Sequence, residues 1–543
     1  MNTLQLLDWI ILATFFVGIF GVVIWVSRLK EETSSDYFLA GRNATWLAIG
    51  ASIFSSNIGS EHLVGLAGAG AESGMAMAHF EIQAWMILVL GWVFVPFYAR
   101  SKVFTMPEFL ERRYNSKSRT FLSVISLVSY ILTKISVTVY AGGIVFKTVM
   151  GIDSIFGIDF FWIGSIGLVL ITGFITILGG MKAVLYTSVI QTPILIIGSL
   201  LIVFIGLSKL GGWGELERIV GDNMHLMRPA NDPKFPWPGM LLGSAIIGFW
   251  YWCTDQYIVQ RTLSAKNQTH ARRGAIFAGY LKLLPVFLFL IPGMIAFALN
   301  QKGLIDLKSS DQSYLTLVTH ILPVGVRGLV VVGLLSALIC SLSSKFNSTA
   351  TLFTIDFYKK FRPETPEKKL VLVGRLATAA IVVLGILWIP IMKLIANVLY
   401  EYLQNVQSLI APAIAAVFFT GVFWKRITAQ GGLWGLIIGF IIGMFRLVLV
   451  IFVNKLNPDG FLYQIATLNW LYFCTLLFAF CVLLIFVISY FTKRPSDAQI
   501  EGLTMVSATP EQKAETKKSY NNWDIVNSVV ILLLVIAFYI YFW

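Results

Sequence analysis

The chain has 543 residues, of which 57% are hydrophobic and 14% aromatic, while only 13% carry charge. Soluble proteins carry roughly 25% charged residues, so soluble enzymes, disulfide-knit secreted modules and disordered chains are excluded, and an integral membrane protein remains. Lys and Arg outnumber Asp and Glu by 41 to 28, and where that excess sits matters more than its size.

Continuous apolar runs, rather than short alternating segments, make the spans helices and not barrel strands. In chain order they fall near 8–27, 44–71, 77–99, 121–150, 158–178, 182–208, 239–259, 273–300, 326–357, 370–392, 394–423, 430–453, 468–491 and 523–543, about fourteen in all. The first ends in Ser27-Arg28-Leu29-Lys30 with no basic segment before it and no small-residue cleavage site, so it reads as a retained helix rather than a signal peptide. The second is interrupted by Ser52-Ile53-Phe54-Ser55-Ser56-Asn57-Ile58-Gly59-Ser60-Glu61-His62, and the seventh by Phe249-Trp250-Tyr251-Trp252-Cys253-Thr254-Asp255-Gln256. Broken helices survive in a bilayer only where they are buried in protein or line a wet cavity. Two interrupted helices, each opening a five-helix block, point to an inverted-repeat transporter with its site at the midplane. The blocks are 44–208 and 239–423. They leave 1–43 as an extra helix and loop, 209–238 as an external loop, and 424–543 as peripheral helices with a cytoplasmic linker at 494–521.

Charge separates alternate loops. One set carries Arg28, Lys30 and Arg42, then Arg100 to Arg119, Lys182, Arg261 to Arg273, Lys359 to Lys369, Lys425 and Arg426, and Lys493 to Lys518. The other set is sparse: Lys209, Arg218, Arg228, Lys234, Lys302, Lys308, Lys393 and Lys455. The positive-inside rule places the rich set in the cytoplasm and both termini outside, in a multi-pass protein of the plasma or inner membrane. Basic residues recurring at membrane edges argue against a nucleic-acid partner. Cys253, Cys340, Cys474 and Cys481 all fall within spans, so no disulfide framework or metal-ligand spacing is expected, and the five scattered histidines suggest no zinc site.

Ionisable and polar groups inside spans are functional candidates because each is costly unless paired or hydrated. Asn57, Glu61 and His62 stand at the first break, and Glu81 and Gln404 lie in spans. Lys282 reads either as a cavity residue or as a lysine snorkelling to the membrane edge. Lys134 and Lys345 suit a structural ion pair at least as well as a solute role, and Gly65, Gly68 and Gly70 read as close helix packing. The inventory fits a neutral, hydroxyl-rich solute: Asn57, His62, Glu81, Lys282 and Gln404 supply donors and acceptors, and Tyr251 or Trp252 an aromatic face. A carboxylate substrate would want an Arg clamp or exposed helix N-termini. Neither a nucleophile–base set nor a metal cluster marks the chain as an enzyme.

Six motifs carry a resemblance. Asp36-Tyr37-Phe38-Leu39-Ala40-Gly41-Arg42, Ser56-Asn57-Ile58-Gly59-Ser60, Thr105-Met106-Pro107-Glu108-Phe109, Gly179-Gly180-Met181, Trp250-Tyr251-Trp252-Cys253-Thr254-Asp255-Gln256 and Phe346-Asn347-Ser348-Thr349 run in order over about residues 35–495. Together they resemble the sodium/solute symporter family and, within it, the sodium–glucose cotransporter branch. The resemblance implies the leucine-transporter-type fold with a five-plus-five inverted repeat. It puts Asn57, His62, Glu81, Tyr251, Trp252, Lys282 and Gln404 on sugar-contacting positions, with Tyr251 as the inner-gate tyrosine. It also implies a Na⁺ ion held by the carbonyls of Ser55, Ile58 and Ala337 and by side chains at Cys340 and Ser341.

Three residues depart from that pattern. Cys340 replaces a hydroxyl, and a thiol serves hard Na⁺ poorly; Ser343 and Ser344 lie off the expected face. Ser188 stands where members with a second sodium site carry aspartate, which argues for one Na⁺ per sugar. Lys345, one turn past Ser341, puts an ammonium where it would mimic or repel the ion. The expected activity is Na⁺-coupled uptake of a hexose such as glucose or galactose, with Na⁺ as the coupling ion and the lipid bilayer as the surroundings. A myo-inositol or other polyol carrier, a proton-coupled sugar symporter, and a sugar-gated sensor or leak channel stay open as alternatives. The sequence is silent on oligomeric state.

Overall fold

The computed structural model describes residues 4–29, 33–395 and 399–543, with the backbone alone over 391–395 and 399–402. Lys30 and part of the first turn of the eleventh expected span lie outside the described residues. The rest is helix upon helix, with a single two-stranded hairpin, Ser154–Ile155 against Ile158–Asp159, among the described residues. Eleven helices among the described residues are long and apolar enough to cross a membrane. The tally differs from the expected fourteen because the helices and the apolar runs divide differently. Phe160–Leu210 covers two expected spans and departs from helical geometry at Gly180, whose φ of 46° suits a residue without a side chain. The end of the second expected span and the third run together in the apolar stretch Glu61–Ser101, which leaves helical geometry at Gly74 (φ 67°, ψ −135°) and at Ile82, and the seventh is cut into pieces.

Burial sorts the helices into a core and a belt. Val326–Thr351 is buried on almost every face, and 89% of the most apolar stretch of Val326–Phe361 is covered. The same share is 22% for Leu6–Ser27 and 28% for Asn522–Tyr541, whose exposed Leu, Ile, Val and Trp side chains suit lipid. Close approach inside the core uses glycine as expected: a Cβ at Gly70 would lie 2.2 Å from the Leu290 carbonyl oxygen, so the helices Ala67–Ser73 and Ile291–Gln301 meet backbone to backbone.

Both expected breaks are present. Trp46–Asn57 ends at Ile58, which is extended (φ −77°, ψ 112°), and the chain resumes through a wide π-type turn, Glu61–Leu66. Trp237–Phe249 widens through Trp250–Thr254, stops at Asp255 (φ −77°, ψ 129°), and resumes as Gln256–Leu263. At each break one extended residue interrupts the helical ladder, so nearby backbone polar groups lose their helical partners and face the protein interior.

Candidate functional site

The two breaks open onto one cavity. Asn57, His62, Glu81, Tyr251, Trp252, Lys282 and Gln404 all line it. These seven residues come from the first break, the end of Ala78–Glu81, the second break, the C-terminus of Gln268–Lys282 and the helix Leu399–Phe423. Lys282 is buried and does not snorkel. Its Nζ donates to Glu81 Oε2 at 2.5 Å and to Asn57 Oδ1 at 3.1 Å, and stands 5.1 Å from the centre of the Trp252 ring. Asn57 Nδ2 donates to the Tyr251 hydroxyl at 2.8 Å, and that hydroxyl is hydrogen-bonded in turn to the Tyr257 hydroxyl. His62 Nε2 lies 3.3 Å from Glu81 Oε2. Trp252 Nε1 donates to Gln83 Oε1 at 3.2 Å, and Gln83 is held by its own bond to the Ser244 carbonyl at 2.8 Å. Gln404 Oε1 is buried and has no hydrogen-bond partner among the described residues, an acceptor left open at the cavity wall.

The wall extends beyond those seven. Glu61, Gln83, Lys134, Tyr257, Lys345 and Gln407 also line the cavity. In the sequence, Glu61, Lys134 and Lys345 signal themselves only as charges inside spans; their partners lie too far along the chain to infer. Lys345 Nζ donates to Glu61 Oε1 at 3.0 Å and to Thr138 Oγ1 at 2.5 Å. Lys134 is paired with Asp255, which also accepts from the Tyr130 hydroxyl, and its ammonium stands within 5.4 Å of the ring centres of Tyr130, Trp250, Tyr251 and Tyr257.

The three ammonium groups on the cavity wall are therefore each matched: Lys345 by Glu61 and Lys282 by Glu81, both on the wall, and Lys134 by Asp255, which stands behind it. Buried charges are tolerable only when so paired. A charged solute would have to break a pair, whereas a neutral one need only exchange hydrogen bonds. Arg261 is buried beneath the second break, but its Nη1 donates to the Tyr257 carbonyl and it does not line the cavity.

The residues expected around a cation lie at the first break and on the facing helix. Ser55 and Ile58 flank the point where the backbone ladder stops. Ala337 belongs to the unbroken Val326–Thr351, so its carbonyl has one lone pair beyond its helical bond. Ser341 Oγ is buried and has no hydrogen-bond partner among the described residues. The Cys340 thiol is occupied: it donates to Gln191 Oε1 and lies 3.7 Å from Ser188 Oγ. Ser343 and Ser344 have partners of their own: their hydroxyls are bonded to Thr176 Oγ1 and Ser56 Oγ, each at 2.6 Å.

Comparison with known proteins agrees with this architecture. The sodium:solute symporter family matches residues 37–439. "Sodium/glucose cotransporter 4" of Danio rerio is 37% identical over 544 residues, covering 92% of this chain and 81% of its own length. "Sodium/myo-inositol cotransporter 2" of Homo sapiens is also 37% identical, over 535 residues, covering 92% of this chain and 78% of its own. Among solved structures, a Na⁺-coupled sialic acid symporter in a substrate-bound outward-open state superposes with a TM-score of 0.76 at 20% identity, over 91% of this chain and 99% of that one. The fold is the leucine-transporter type, and the chain belongs to the sodium:solute symporter family, a family of transporters rather than enzymes.

Proposed function

We propose that this chain is a secondary active symporter that couples Na⁺ entry to uptake of a neutral hexose, one Na⁺ per sugar. The observation that carries the reading is the pairing of the cavity's charges: each of the three ammonium groups on its wall is matched by a carboxylate, while Asn57, His62, Gln404 and an aromatic wall offer what a ring of hydroxyls and C–H faces requires. Relatives named for glucose and for myo-inositol at equal identity support a polyhydroxylated neutral solute without choosing between them. Asn57, His62, Glu81, Lys282 and Gln404 bind hydroxyls, and Tyr251 with Trp252 forms the stacking face, Tyr251 closing the path to the cytoplasm. Na⁺ binds among Ser55, Ile58, Ala337 and Ser341 at the first break, favours the outward-facing state and organises the sugar site. Rocking of the core bundle then releases both solutes inside. The basic loops support a cytoplasmic face opposite both termini.

A tenfold Na⁺ gradient gives about 1.4 kcal/mol and 100 mV adds about 2.3 kcal/mol per charge, enough to concentrate a neutral sugar roughly 500-fold with one ion. The test is uptake of labelled glucose, galactose and myo-inositol into proteoliposomes with Na⁺, K⁺ or proton gradients imposed. Concentrative uptake driven only by Na⁺ is expected. Uptake indifferent to Na⁺ but driven by protons would transfer the coupling role to another ion, and equilibration without accumulation would make the protein a channel.

A further inference from the structure

Beyond cancelling each other's charge, Glu61 and Lys345 have no task in the sugar reading, yet burying both charges is costly. Lys345 occupies only one oxygen of the carboxylate, Glu61 Oε1. The other, with the Ser60 hydroxyl at a long 3.5 Å, turns toward the break. A Cβ placed on Gly59 would lie 2.4 Å from Glu61 Oε2 and 2.7 Å from Ser341 Oγ. Only glycine leaves room for both oxygens. An anionic oxygen and a buried hydroxyl with no partner among the described residues thus converge on one point, one residue after extended Ile58. Oxygen donors with one negative charge among them suit a small hard cation, and the Cys340 thiol, committed to Gln191, does not complete the set.

We infer that Glu61 is a direct ligand of the coupling cation through Oε2, and that Lys345 is a tethered competing charge that holds Oε1 and sets the Na⁺ affinity. Without the ion, the carboxylate and ammonium neutralise each other. With it, Na⁺ and the ammonium share one carboxylate and repel. This rests on the Na⁺-coupled reading above, and it gives the departure at Lys345 a role as a brake on ion binding.

The experiment measures binding of ²²Na⁺ and Na⁺-dependent thermal stabilisation of the purified full-length protein with no sugar present. Glu61→Gln is expected to raise the half-saturating Na⁺ concentration by about tenfold or more, and Lys345→Met to lower it by roughly tenfold through removal of a like charge at short range. The double variant Glu61→Gln/Lys345→Met buries no unpaired charge and keeps the test alive if a single variant fails to fold; it is expected to bind Na⁺ more tightly than Glu61→Gln, because the like charge is gone, and at least tenfold more weakly than Lys345→Met, because the ligand is gone. Na⁺ affinity in that double variant equal to that of Lys345→Met would overturn the inference while leaving Na⁺ coupling intact. Unchanged ion binding in Glu61→Gln with weakened sugar binding at saturating Na⁺ would also overturn it and make Glu61 a sugar ligand. Absence of any Na⁺ binding by the wild-type protein would remove the coupled reading itself.

Discussion

Lys282 and Glu81, 201 residues apart in the chain, meet at 2.5 Å on the wall of the cavity, with Trp252 beside the ammonium. Removing one member of such a pair costs about 3–5 kcal/mol, whereas removing both costs far less. Lys282→Met and Glu81→Gln are each expected to lower Tm more than the double variant does. All three should lose sugar uptake, because the pair also presents its remaining hydrogen-bonding capacity to the cavity. A double variant that transports at the wild-type rate would relegate the pair to scaffolding.

Gln404 makes a different case. Its Oε1 has no partner among the described residues, so truncation costs the protein little. A neutral hydrogen bond to substrate is worth about 0.5–1.5 kcal/mol, so Gln404→Ala should raise the half-saturating sugar concentration by roughly threefold to tenfold while Tm stays put. A large fall in Tm with unaltered sugar dependence would show instead that the amide serves helix packing.

These two cases also mark what the sequence discloses. The seven cavity residues are legible because each violates an apolar span or sits at a break, and a bilayer tolerates such residues only where protein or trapped water satisfies them. The pairings are not legible. Glu61 finds Lys345, and Lys134 finds Asp255, across separations of 284 and 121 residues, set by how the blocks fold against each other rather than by local spacing. The breaks themselves can be read from Ser, Asn and Gly clusters, but the division of Phe160–Leu210 cannot: hydropathy dips near Lys182, whereas the backbone departs from helix at Gly180 and is helical on both sides.

Glycine packing yields a stability prediction that touches no solute. At Gly70 a methyl group would press on the Leu290 carbonyl oxygen, which belongs to a neighbouring helix and cannot swing aside. Gly70→Ala should destabilise by about 1–3 kcal/mol, the usual cost of overpacking. Gly18→Ala, on a helix face with nothing within 4 Å, is the matched control and should leave Tm unchanged or slightly raised. Equal Tm values for the two variants would mean that the helices Ala67–Ser73 and Ile291–Gln301 have room to separate.

Stoichiometry follows from Ser188. Where a carboxylate would offer a second cation an anionic oxygen, this hydroxyl is turned back on its own helix, donating to the Val184 carbonyl at 2.6 Å, with the Cys340 thiol 3.7 Å away. Neither group brings negative charge, so one Na⁺ per sugar is expected. At thermodynamic balance, a tenfold sugar gradient is offset by about 59 mV when one charge moves per sugar and by about 30 mV when two move. Reversal potentials of sugar-dependent current, measured in proteoliposomes at fixed Na⁺ with the membrane voltage clamped by K⁺ and valinomycin, separate these values. A shift near the smaller one would require a second ion site built without a carboxylate at position 188. Ser188→Asp would then be the variant to examine, since a new carboxylate beside Cys340 should tighten that site, whereas in a one-ion carrier it should only destabilise the fold.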